Sequence, residues 1–261
     1  MAENGKKGTA LVTGGNRGLG LETCRQLHHL GYGVILTARD AADGAAAAKA
    51  IGVDFHALDV TDPASISSLA DWLKAEGRTL DILINNAAVA LDGFNAEVAR
   101  KTIDANVYGP LRLTEALLPF IPDGGTIVMV SSGVGELSGL AGPIRRELTS
   151  QTLTTDKLMA LMETFVTDVT EGRHREAGWP SSAYRLSKAG LNALTRVLAA
   201  ELAPRRIKVN ATCPGWVRTR MGGQSATRGI VEGTKSILWA ATLPEDGPTG
   251  GFFRDGREIQ W

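Results

Sequence analysis

Apolar positions alternate along the chain between short continuous runs and stretches where they recur every three or four residues. Thr9-Ala10-Leu11-Val12 ends in Gly14-Gly15-Asn16-Arg17-Gly18-Leu19-Gly20, after which Leu21, Cys24, Leu27 and Leu30 keep helical spacing. This predicts strand, glycine turn and helix. Further strands are predicted at 34–36, 53–58, 80–84, 125–131 and 207–212. Helices are predicted over 41–51, 63–76 (opened by Pro63), 97–120, and from Tyr184 to about Leu202. The unbroken Ile127-Val128-Met129-Val130 suits a sheet covered on both faces. Strands and helices alternating at this pitch predict an α/β fold: right-handed βαβ units forming one doubly wound parallel sheet flanked by helices.

The stretch between Ser132 and Tyr184 is far longer than a strand-to-helix connection needs. An insertion of about 133–180 is therefore expected, with a helix of its own. Leu158, Leu161, Met162, Phe165, Val166 and Val169 form its apolar stripe, with Thr154 or Thr155 as N-cap. Packing on the rest of the chain accounts for the stripe more simply than a partner does.

Composition narrows the field by exclusion. With 261 residues, one domain spanning 1–261 is expected. Lys plus Arg (28) balances Asp plus Glu (28), so no global field draws the chain to nucleic acid or anionic lipid. Cys24 and Cys213 make no CxxC spacing, and His28, His29, His56 and His174 make no metal-ligand pattern. Neither a signal-peptide core nor a membrane-spanning run is found, so a reducing, cytoplasmic setting is expected.

Chemistry concentrates in Ser182-Ala183-Tyr184-Arg185-Leu186-Ser187-Lys188. Tyr184 and Lys188, four apart, share one helix face. A phenol titrates near ~10, and an ammonium about 4 Å away at an effective dielectric of ~20 favours the phenolate by roughly 4 kcal/mol before screening. Lys188 is thus expected to pull the Tyr184 pKa down toward the range where general acid catalysis works best. At the other end of the chain, Gly14, Gly18 and Gly20 feed a helix N-terminus. Such a turn aims backbone N–H groups and a positive dipole end at phosphate. Their Gly-x-x-x-Gly-x-Gly spacing differs from the common Gly-x-Gly-x-x-Gly fingerprint. The second strand closes as Thr37-Ala38-Arg39-Asp40. An acid there binds a ribose 2′-hydroxyl and an arginine a 2′-phosphate, so Arg39 with Arg17 favours NADP(H) over NAD(H). Asp40 is left to the ribose or to capping the next helix. Asp59 is left to the adenine edge or an N-cap.

These features resemble the short-chain dehydrogenase/reductase family. Asn85-Asn86-Ala87-Ala88, Ser131-Ser132 and Pro214-Gly215-Trp216-Val217-Arg218-Thr219 complete the resemblance, in the family's order and over nearly the whole chain. Within the family the chain is most similar to the monomeric carbonyl reductases, through the insertion ending Gly178-Trp179-Pro180-Ser181-Ser182-Ala183-Tyr184 and the tail from Gly247-Pro248 to Gln260-Trp261. The resemblance implies a Rossmann-type fold and an NADPH-dependent enzyme. It further implies that Tyr184 protonates a carbonyl oxygen, that Ser132, second of its pair, holds that oxygen, and that Lys188 bonds the nicotinamide ribose. Asn106 then either holds a water of a proton relay or bonds backbone where a helix bends. Cofactor contacts are implied at Gly14, Asn16, Arg17, Gly18, Leu19, Gly20, Arg39, Asp59, Val60, Asn86, Ala87, Tyr184, Lys188, Pro214, Gly215, Trp216, Val217 and Thr219. Trp216 and Met221 are either substrate-pocket walls or ordinary core, and 216–235 is expected to be a mobile lid. Ala88 departs from the family's glycine and puts a methyl near the cofactor. The resemblance also implies a monomer, the inserted helix covering the face that relatives use to oligomerise. The expected reaction is hydride transfer to a ketone, aldehyde or quinone. The rivals are an NADP-dependent secondary-alcohol dehydrogenase and a non-catalytic NADP(H) sensor, for which an intact Ser132, Tyr184 and Lys188 set would be superfluous.

Overall fold

A computed structural model describes residues 7–261. Eight strands form one sheet in the order β3-β2-β1-β4-β5-β6-β7-β8. The strands are β1 (Thr9–Val12), β2 (Gly33–Ala38), β3 (Asp54–Ala57), β4 (Ile82–Asn85), β5 (Thr126–Val130), β6 (Lys208–Thr212), β7 (Phe252–Arg254) and β8 (Arg257–Glu258). All pairs are parallel except β7 with β8, a hairpin turned by Asp255 (φ +52°) and Gly256 (φ +75°). Two consecutive left-handed residues are what a tight hairpin needs to match strand twist, and Asp-Gly suits them.

The helices are α1 (Gly18–His29), α2 (Ala41–Ile51), α3 (Pro63–Ala75), α4 (Ala96–Ile103), α5 (Gly109–Leu117), α6 (Gly142–Thr149), α7 (Thr155–Thr170), α8 (Ala183–Glu201) and α9 (Ile230–Ala241). One apolar layer joins α3, α4, α5, α7 and α8 to one sheet face. Leu36, Val128 and Val130 face a second layer that includes Cys24 and Leu27 of α1 and Ile237 and Ala240 of α9. The alternation read from the sequence is therefore a doubly wound sheet, with boundaries shifted by one or two residues.

Three expectations change. The helix expected over 97–120 is broken: α4 passes into a π-helical turn (Asp104–Tyr108), then α5, then a 3-10 turn (Leu118–Phe120). The insertion holds two α-helices, α6 and α7. Thr154 caps α7 by accepting from Lys157 N at 3.3 Å, and the Leu158 to Val169 stripe packs into the core beside α8. The segment expected as a lid over 216–235 divides, since α9 begins at Ile230. The loop ahead of it is closed by a bridge between Val217 and Arg228. No helix among the described residues is long and apolar enough to cross a membrane.

Candidate active site

β1 delivers the chain into the glycine turn at the carboxyl edge of the sheet. Strand order reverses there, with β1 paired to β2 on one side and β4 on the other, and such switch points open a crevice for ligands. Gly14 is left-handed (φ +62°), and Gly15 N donates to Thr37 O at 2.8 Å. A Cβ on Gly20 would run into the Gly14 carbonyl and the Asn86 amide, so α1 seats on the turn only because that position is bare. Asn86 locks the arrangement from β4: its Nδ2 donates to Thr13 O (2.7 Å) and Gly14 O (3.2 Å). Thr13 Oγ1 accepts in turn from Asn86 N (2.9 Å) and Ala87 N (2.8 Å). The N-cap of α1, Arg17, makes no side-chain cap, whereas Asp40, Asp62 and Asn95 cap α2, α3 and α4. The first-turn N–H groups of α1 and its positive dipole end are thus left to the crevice. Arg17 and Arg39 are exposed and make no ion pair among the described residues.

The acids left open by the sequence are placed. Asp40 accepts from Asp43 N at 2.8 Å as the cap of α2. Asp59 is not a cap: Asp62 holds that position, and Asp59 Oδ1 accepts from Thr61 N (2.9 Å) and Thr61 Oγ1 (2.7 Å). Val60 is buried against Gly109 at the start of α5.

Ser182 caps α8 by accepting from Arg185 N at 3.2 Å, which sets Tyr184 in the first turn and Lys188 one turn on. Ser132, just past β5, accepts from Val134 N at 3.5 Å and lies close enough to the Tyr184 hydroxyl to pull its pKa down, while Ser131 Oγ is buried and donates to Lys188 O at 3.4 Å. The second serine of the pair therefore meets the tyrosine. Lys188 is enclosed, its Nζ donating to Val130 O at 2.9 Å and lying 5.6 Å from the centre of the Tyr184 ring.

The electrostatics differ from expectation. Burial is the largest influence on Tyr184 and holds its pKa above the ordinary phenol value, against the Ser132 hydrogen bond that pulls it down. The downward pull expected from Lys188 does not register. Its ammonium donates one N–H to a backbone carbonyl and is itself pushed down to about 8 by burial.

Asn106 sits in the π turn with its amide making three hydrogen bonds. Oδ1 accepts from Val89 N (2.8 Å), and Nδ2 donates to Val89 O (2.9 Å) and Ser187 Oγ (3.0 Å). These bonds are the ones its structural reading expects. Through Ser187 it also braces α8 between Tyr184 and Lys188.

The last wall is the Pro214–Thr219 segment and the loop behind it. Val217 is buried, and Thr219 lies against Gly18. Trp216 is 55% exposed with Nε1 donating to Gly222 O at 2.8 Å, and Met221 is 51% exposed with Sδ accepting from Tyr184 Oη at 3.8 Å. Neither is core, so that alternative for the pair is corrected: Met221 lies on the open side of the tyrosine, and Trp216 is exposed on the same loop. One loop thus touches the glycine turn at one end of the site and the tyrosine at the other. Thr13 was missed in the sequence, as was Cys213, a buried thiol that influences both Tyr184 and Lys188 and accepts from Arg254 Nη2 at 3.1 Å. Its place directly before Pro214 was the only available signal.

Comparison with known proteins bears on the family and the fold. The family profile described as short chain dehydrogenase matches residues 8–144, and the one described as enoyl-(acyl carrier protein) reductase matches 146–237. Carbonyl reductase [NADPH] 1 of Homo sapiens is 41% identical over 273 residues, covering 97% of this chain and 98% of that protein. Salutaridine reductase from Papaver somniferum superposes with a TM-score of 0.89 at 34% identity, covering 95% of this chain and 99% of that one. An NADPH-bound carbonyl reductase from chicken fatty liver gives 0.74 at 26% identity, covering 97% and 94%. A profile spanning more than half the chain and a relative aligned over nearly all of it place this chain in the short-chain dehydrogenase/reductase family of oxidoreductases.

Proposed function

We propose that the protein is an NADPH-dependent carbonyl reductase acting on a ketone, aldehyde or quinone. The observation that carries this is the convergence of the Ser132 and Tyr184 hydroxyls, with Lys188 one turn below, at the sheet edge that also bears the glycine turn. The fit to the cofactor rests on that turn: bare positions at Gly14, Gly18 and Gly20, an α1 N-terminus without a side-chain cap, and the exposed Arg17 and Arg39, which make no ion pair among the described residues. Relatives named as carbonyl reductases [NADPH] support the same cofactor.

When bound, NADPH supplies the hydride. In this reading Gly14, Asn16, Gly18, Leu19 and Gly20 present backbone N–H groups to the diphosphate, and Arg17 and Arg39 take the 2′-phosphate. Asp59 and Val60 border the adenine. Asn86, Ala87 and Lys188 hold the nicotinamide ribose, and Pro214 to Thr219 border the carboxamide. Tyr184 gives its Oη proton to the substrate oxygen. Its raised pKa keeps the proton in place at neutral pH, and Ser132 is the second donor to the same oxygen. Trp216 and Met221 wall the substrate. The same reading has the chain working as a monomer, since α7 already occupies the α8 face, with Met162 against Gly190.

Loss of NADPH absorbance with a quinone or activated ketone tests the reading. Tyr184→Phe is expected to lower kcat by about 10²–10⁴-fold, the range for one positioned acid, with NADPH binding retained. Turnover that survives this change removes Tyr184 as the acid.

A further inference from the structure

Met221 stands apart from the other methionines in the described residues. Met129 and Met162 are fully enclosed and Met159 is half-buried, but Met221 is 51% exposed and accepts the Tyr184 hydroxyl on its sulfur at 3.8 Å. The loop keeps it there: Trp216 Nε1 holds Gly222 O at 2.8 Å, and Gly222 N donates to Thr219 Oγ1 at 3.1 Å. The methionine most open to a dissolved oxidant among the described residues thus rests on the proposed proton donor. A thioether is a weak acceptor, easily displaced by a substrate oxygen, whereas a sulfoxide oxygen is a strong, partly negative one.

We propose that Met221 is a peroxide-sensitive modification site whose sulfoxide caps the Tyr184 hydroxyl and switches the enzyme off. The chemistry balances with a hydroperoxide as oxidant. The Met221 sulfur attacks the outer peroxide oxygen, the S–O bond forms as the O–O bond breaks, sulfur is oxidised by two electrons, and the peroxide leaves as alcohol or water carrying the proton. The added oxygen closes the gap to the Tyr184 oxygen toward the roughly 2.5–3.0 Å of a good O–H···O bond. The Tyr184 hydroxyl then faces an acceptor fixed to the chain, where a substrate oxygen would otherwise sit. Methionine sulfoxide reductases reverse the change, so this is a switch and not damage. The switch rests on the reading of Tyr184 as acid, but the oxidation itself does not.

The test uses the full chain treated with hydrogen peroxide. Trypsin cuts after Arg220 and Arg228, so Met221–Arg228 is released as its own peptide. Carbonyl reduction is expected to fall about tenfold or more, the equivalent of one weak hydrogen bond gained by the inhibited state, in step with that peptide gaining the mass of one oxygen atom. NADPH binding, followed by its fluorescence, is expected to persist. Methionine sulfoxide reductase supplied with dithiothreitol should restore activity, while dithiothreitol alone, which would rescue oxidised Cys24 or Cys213, should not. Met221→Leu, whatever its starting rate, should lose nothing on treatment. The switch is overturned if activity falls with the peptide unchanged, if the peptide is oxidised with activity intact, or if Met221→Leu is inactivated equally. Untreated protein that binds NADPH yet reduces no carbonyl overturns the reading of Tyr184, and the peptide mass still decides whether Met221 is the oxidised site.

Discussion

The site has a floor and a rim, and the two are built by opposite means. The floor consists of Lys188, Ser131, Asn106 and Thr13, all nearly or fully enclosed and each tied to backbone carbonyls or N–H groups of a neighbouring element. The rim consists of Arg17, Arg39, Trp216 and Met221, exposed and held through the loop that carries them or not at all. Burial sets the protonation of Lys188 and the positions of the others in advance. The rim is left with binding capacity that only a ligand can use. A low dielectric makes a preorganised group effective because it need not reorganise during the reaction, but it also makes that group costly to keep.

Lys188 shows that cost most plainly. Its pKa is about 8 in the folded protein against 10.5 for the free side chain, so between those values the unfolded chain holds more protons and stability rises with pH. Below pH 8 the full penalty stands, on the order of 3 kcal/mol. Lys188→Met is expected to be inactive yet more stable than the parent at pH 7, with the gap narrowing as pH climbs from 8 toward 10.5. Denaturant melts at pH 7 and 10 would show it. A gap that is absent at pH 7, or that widens at pH 10, would mean the floor is not strained by its own charge.

The rim is expected to respond through affinity alone. Arg39→Ala should raise KM for NADPH about tenfold and leave KM for NADH and kcat unchanged, because an exposed charge-assisted contact contributes toward the low end of about 1.5–3 kcal/mol. The measurement is the ratio of kcat/KM for the two cofactors before and after substitution. An equal loss with both would assign Arg39 to structure, not to a 2′-phosphate.

What could be read from the sequence follows the same division. Glycine spacing and the Tyr184–Lys188 interval are local patterns that could be read directly, whereas the choice of Ser132 from the Ser131-Ser132 pair came from the family resemblance. The break itself was not readable beyond one reading of Asn106, because Asp104 to Tyr108 keeps apolar spacing through the π turn, and the Val89 and Ser187 contacts of Asn106 show how the extra residue is accommodated. The Tyr184 pKa was misjudged for a related reason: helical spacing gives which residues share a face, not which one is buried or which carbonyl claims the ammonium. Helix α9 and the β7–β8 hairpin lay beyond the elements predicted, although Asp255-Gly256 was a turn signal that could have been used.

The smallest effect concerns how the rim loop is fastened. Arg228 closes it. Its N–H donates to Trp216 O (3.0 Å), its carbonyl accepts from Arg218 N (2.9 Å), and its guanidinium reaches Glu232 (2.9 Å) and Asp255 (2.8 Å). The arginine side chain lies across Gly215, where any Cβ would strike it. Arg228 holds the Asp255 carboxyl below the ordinary aspartate range. The pairing is therefore complete at neutral pH and lost only as pH falls through that lowered value. Both carboxylates are about half exposed, at 51% and 46%, so each pair contributes only about 0.2–1 kcal/mol. Arg228→Ala should accordingly cost about 1 kcal/mol, a Tm drop of roughly 2–4 °C. It should also loosen the loop: trypsin should cut faster after the exposed Arg218 and Arg220, and KM for the carbonyl should rise while kcat holds. Arg228→Lys, which keeps the charge, should recover part of both. If the trypsin rate and KM stay at parental values while Tm alone moves, Arg228 merely staples the C-terminal hairpin, and the loop owes its position over Tyr184 to Trp216 and Thr219.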